Sequence, residues 1–69
     1  MNNTIKNKLD NFDLSLLSFG ELRQYNKCRE SMFSKRACLL YLIDNYSPLT
    51  YDLQILKIAI DLREIRLQF

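Results

Sequence analysis

The segment Ser47–Phe69, SPLTYDLQILKIAIDLREIRLQF, carries two apolar stripes on what its spacing predicts to be a single helix. At about 100° per residue, Ile55, Ile58, Leu62, Ile65 and Phe69 recur at steps of three and four and share an arc of about 80°, the seam a helix presents to a neighbour. Leu53, Leu56, Ile60 and Leu67 form a second arc nearly opposite. Gln54, Lys57, Asp61, Glu64 and Gln68 make a polar strip between them, and Asp52, Arg63 and Arg66 flank small Ala59 on the other side. One packing partner covers one stripe, so either the chain wraps this helix from two sides or one stripe is left for another molecule. The expectation adopted is that Leu53, Leu56, Ile60 and Leu67 serve self-association or partner binding, while the other stripe packs at home.

Chain length sharpens that choice. With 69 residues there is room for one domain, and a core of that size is marginal without help from oligomerisation. A hydrophobic content of 48% with a single Gly and a single Pro points to a folded all-α chain, because neither disorder nor an all-β fold is built from so few turn residues. The longest apolar run, Ala37–Ile43, is far short of the roughly 20 residues of a membrane span. The N-terminal MNNTIKNKLDNFD lacks the apolar centre of a secretory signal, which predicts a cytoplasmic protein in a reducing compartment.

Residues 1–17 carry two incompatible patterns. Ile5, Leu9, Phe12 and Leu16 have helical spacing, yet Phe12, Leu14 and Leu16 alternate with polar neighbours, and the Asn and Thr residues favour caps and turns. The segment is read as an N-terminal arm, partly mobile at its tip, that docks Phe12, Leu14 or Leu16 on the helices, with a short amphipathic helix as the alternative. Residues 18–69 form the helical domain. Ser18 followed by Glu21 is a capping box, framed by the staple pair Leu17 and Leu22, so a helix starts there. It runs to about Asn45, either as one piece or broken near residues 31–34, where Ser34 is placed to cap a fresh helix. The run DNYSPLT ends it, and Pro48 suits the first position of the next helix, with Ser47 or Thr50 as cap. The expected architecture is a helical hairpin that doubles into a dimeric four-helix arrangement. On an unbroken helix Cys28 and Cys38 would lie about 15 Å apart, outside disulfide reach, which predicts two reduced thiols.

Chemistry-bearing motifs are scarce. Histidine is absent, which removes the commonest general base and metal ligand. Two separated cysteines do not make a zinc site, and one glycine does not make a phosphate-cradling loop. Asp61 and Glu64 read as solvated helix-surface charges, with Lys57 placed to pair with Asp61. No catalytic residue, cofactor or metal is therefore expected. Arg23, Lys27, Arg29, Lys35 and Arg36 are possible contacts for an anionic partner, although on a helical wheel they scatter rather than form a stripe that tracks phosphates. The functional expectation is a small non-enzymatic protein-protein interaction module, an adaptor, inhibitor or regulator that binds itself as a homodimer and an unidentified protein. The alternative is a nucleic-acid- or nucleoid-associated regulator using the basic central helix. No membrane partner is expected.

Overall fold

The capping box does what its residues predict. The Ser18 hydroxyl accepts from the Glu21 N–H at 3.2 Å, the Glu21 carboxylate accepts from the Ser18 N–H at 2.8 Å, and a helix follows. The computed structural model describes residues 3–68, with side chains described over residues 4–62. Its order is α1 (Asn3–Asp10), a short 3-10 helix (Leu14–Leu16), α2 (Phe19–Glu30), α3 (Lys35–Asn45) and α4 (Tyr51–Gln68). The chain is all-helical, and no strand occurs among the described residues.

The central stretch is two helices, not one. Ser31 closes α2 with its N–H on the carbonyls of Lys27 and Cys28, and Met32 then adopts φ 72°, a left-handed conformation that turns the chain away. Ser34 starts α3 by accepting from the Ala37 N–H at 3.1 Å. Of the two forms the sequence allows, the chain takes the one broken at residues 31–34. A left-handed residue with a Cβ costs about 1–2 kcal/mol, and the Met32 side chain is 92% exposed, so it packs on nothing that would compensate. Met32→Gly should therefore stabilise the protein, by about 0.5–1 kcal/mol once glycine's greater freedom in the unfolded chain is deducted, measured as a higher urea midpoint. A lower midpoint would contradict the role given to this turn.

The N-terminal segment is the second departure. Over Asn3–Asp10 it is a helix whose Thr4 and Asn7 face solvent while Ile5 and Leu9 are buried, so residues that argued against helix lie on its wet side. Phe12 and Leu17 are also buried, Leu14 is half-buried and Leu16 is exposed. Ile5, Leu9, Phe12 and Leu17 thus join the core cluster, and the segment takes the form of the alternative, a short amphipathic helix; the tip at residues 1–2 lies outside the described residues. Asp13 holds the 3-10 helix by accepting from the Ser15 N–H at 3.0 Å and the Ser15 hydroxyl at 2.7 Å.

The hub is α3. Its Cys38, Leu39, Leu42 and Ile43 are buried, and it packs on α1, α2 and α4. Leu9, Leu39, Leu42 and Leu53 are fully buried at the centre, one or two from each of α1, α3 and α4. Lys35 and Arg36 tie the start of α3 to the end of α1: the Lys35 ammonium donates to the Phe12 carbonyl at 2.8 Å, and the Arg36 guanidinium forks onto the Asp10 carboxylate at 3.1 and 2.6 Å. Beyond α3 the Ser47–Pro48 peptide is cis, and α4 begins later than Pro48, at Tyr51, with Gln54 N–H bonded to the Thr50 carbonyl.

Candidate functional site: the outer face of α4

Among the described side chains of the last helix, the stripe expected to be left for a partner is the buried one, and the stripe expected to pack at home is exposed. Leu53 and Leu56 are 0% and 5% exposed, and Ile60 is half-buried against the same core. These residues close the domain on α1 and α3, so they are not free to bind a partner; Leu67 lies outside the described side chains. Ile55, Ile58 and Leu62 are instead 44%, 54% and 53% exposed. The physical reason is α1. Once residues 3–10 are helical, Ile5 and Leu9 provide a second wall beside Leu39, Leu42 and Ile43, and the narrower stripe containing Leu53 and Leu56 fits between them.

The exposed stripe extends further than the sequence reading took it. Tyr51, 74% exposed, stands four residues before Ile55 in the same register, so Tyr51, Ile55, Ile58 and Leu62 follow the alternating four-three-four spacing of a coiled-coil seam. The spacing itself could have revealed Tyr51. The register continues in sequence to Ile65 and Phe69, which lie outside the described side chains. Beside the N-terminal half of the stripe, exposed Leu16 and buried Phe12 combine with Tyr51, Ile55 and Leu56 to line a cleft of about 560 Å³. Lys8, Asn11 and Asp52 complete the lining, so a largely apolar cleft also carries charges of both signs.

The five basic residues do not gather. Arg36 is committed to Asp10, whose carboxyl is held below its ordinary range by that hydrogen bond. Lys35 is committed to Phe12, and the Arg29 guanidinium donates to the Phe33 carbonyl at 3.2 Å. Arg23 and Lys27 remain exposed on α2, beside Leu22 in a shallow groove that also contains Glu30.

The thiols also depart from expectation. Because the helix breaks, Cys28 and Cys38 are not spread along one axis: Cys28 on α2 and Cys38 on α3 both adjoin Phe33, and both are free thiols. The Cys38 thiol donates to the Phe33 carbonyl at 3.8 Å, the same oxygen that receives Arg29. Burial, reinforced by the neighbouring Cys28, pushes the Cys38 thiol up from 9.0 to about 11, against the opposing pull of the Arg29 charge. Burial raises Tyr25 as well. A folded-state pKa above the unfolded value means that folding keeps the proton. Stability is then complete below about pH 9 and is lost as the pH rises toward 11. Urea unfolding at about pH 8 and about pH 10.5 should show a loss on the order of 1–2 kcal/mol, diminished in Cys38→Ala. An unchanged midpoint would refute a buried, protonated Cys38.

Among the described residues no group of three or more His, Cys, Asp or Glu side chains is placed to hold a metal ion, and no helix is long and apolar enough to cross a membrane. No protein-family model, curated protein or solved structure matches the chain.

Proposed function

We propose that this chain is a small, non-enzymatic, cytoplasmic protein-binding module, an adaptor or regulator that acts through the outer face of α4, and that a second copy of itself is the occupant of that face. The observation that carries the reading is the exposure of Tyr51, Ile55, Ile58 and Leu62 at coiled-coil spacing on a helix whose opposite face is already in the core. A stripe of this kind is self-complementary: a two-fold axis sets the same seam against itself, and the side chains of one copy fill the spaces of the other. Each half-exposed aliphatic side chain gains on the order of 1 kcal/mol when covered, and symmetry doubles every gain. The small size of the domain favours the same outcome, since a core this size benefits from additional apolar burial. The dimer would bring two α4 helices together, each backed by its own α3.

The nucleic-acid reading is weaker. Three of its five candidate cations, Arg29, Lys35 and Arg36, are engaged in bonds within the chain, leaving Arg23 and Lys27 for phosphates.

Size-exclusion chromatography with light scattering over a range of loading concentrations tests the proposal. A mass rising from one chain toward two with concentration is expected. A single-chain mass throughout would remove the second copy as occupant of the face.

A further inference from the structure

The break between α2 and α3 puts one thiol on each side of it, and both meet Phe33: Cys28 beside it in a cleft open to solvent, Cys38 on its carbonyl. Cys28 is half-buried and lines a cleft of about 300 Å³ with Lys27, Ser31, Phe33 and Tyr41. Cys38 is wholly inside the core, and its thiol donates to the carbonyl of Phe33, a residue of the cleft lining. Arg29 reaches the same carbonyl, so a guanidinium stands close to the pair. We propose that Cys28 and Cys38 are a reversible redox-modification site, which a small-molecule disulfide of the glutathione type converts into an intramolecular disulfide that staples α2 to α3 across the break.

Exposure sets the order of events. The accessible Cys28 thiolate attacks one sulfur of the oxidant, forming a mixed disulfide and expelling one glutathione thiolate. Cys38, as thiolate, then attacks the Cys28 sulfur from the core side and expels the second. Two protein thiols and one oxidised glutathione become one protein disulfide and two reduced glutathiones, with the two thiol protons passing to the departing thiolates. Burial of Cys38 makes the second step the slower one, because the attacking thiolate is scarce at neutral pH. The nearby Arg29 charge favours that thiolate. In a reducing compartment such a pair stays open at rest and closes only under oxidising conditions, as expected of a redox-responsive rather than a structural disulfide.

Any two cysteines ten positions apart can pair in an unfolded chain, so the test must isolate what the fold contributes. The reduced full chain is equilibrated with reduced and oxidised glutathione mixtures in buffer and in about 8 M urea, quenched by alkylation and weighed intact. The expected product is a monomer two hydrogens lighter, with unchanged helical circular dichroism. Its effective thiol concentration should be at least about tenfold higher folded than in urea. Thermodynamic linkage then requires the oxidised chain to resist urea better than the reduced one by the same factor. Cys28→Ser should abolish the product and leave Cys38 slow to react. An effective concentration equal to or below the urea value, a covalent dimer or glutathione adduct as the main product, or loss of helix on oxidation would each overturn the proposal.

Discussion

Glu21→Ala should remove a large part of the protein's stability. Glu21 has no exposed surface, and its carboxylate receives two backbone donors: one oxygen takes the Ser18 N–H and the other the Thr50 N–H, each at 2.8 Å. The first bond belongs to the capping box of α2; the second crosses to the residue just before α4, so one side chain fixes the starts of two helices. The cost of burying its charge is offset by these donors and by the positive end of α2. Hydrogen bonds to a charged group contribute about 1.5–3 kcal/mol each, and truncation also leaves two donors unpaired beside a cavity. The expected loss is about 3–5 kcal/mol, against a total stability of about 3.5–10 kcal/mol for a chain of this length. Glu21→Gln keeps the size but turns an amide N–H₂ toward one of the two donors, so an intermediate loss of about 1–3 kcal/mol is expected. Urea titration followed by circular dichroism measures both. A Glu21→Ala midpoint within about 0.5 kcal/mol of the native one would show that this carboxylate does not hold α2 and α4 together.

The starts of α2 and α3 had a local signal in the sequence, because a cap depends on residues three apart. Ser18 with Glu21 and the cap at Ser34 could be read directly, and the capping-box reading already named the carboxylate that turns out to be buried. Its second bond, to the Thr50 N–H twenty-nine residues later, had no local signal. Ser34 allowed for a break at residues 31–34 without deciding it, nothing in a helical wheel shows that Met32 will turn left-handed, and the separation inferred for Cys28 and Cys38 failed with the unbroken helix it assumed. The largest misreading concerned α4. Apolar residues on opposite sides leave a helix with almost no net hydrophobic direction, so its own sequence cannot say which face turns inward. That choice was made by α1, and α1 was hidden by Asn and Thr residues that proved to be its solvent side.

The two faces of α4 should respond oppositely to the same substitution. Leu53→Asp places an unpaired carboxylate among Leu9, Leu39 and Leu42 and removes a fully buried side chain. The cost is about 3–5 kcal/mol or more, comparable to the whole stability, and loss of the helical signal is expected. Ile58→Asp adds the same charge on a face that is already half wet in the isolated chain, where surface changes stay within about 0.5 kcal/mol. It should retain the helical signal and unfold at nearly the monomer's own stability, while placing two carboxylates in the seam of any dimer.

Sedimentation equilibrium at tens of micromolar, run on the native chain and on folded Ile58→Asp, tests the central claim most directly. The account predicts twice the 8.3 kDa chain mass for the native protein and the single-chain mass for the variant. A native protein that sediments as one chain, or a variant that remains dimeric, would contradict it.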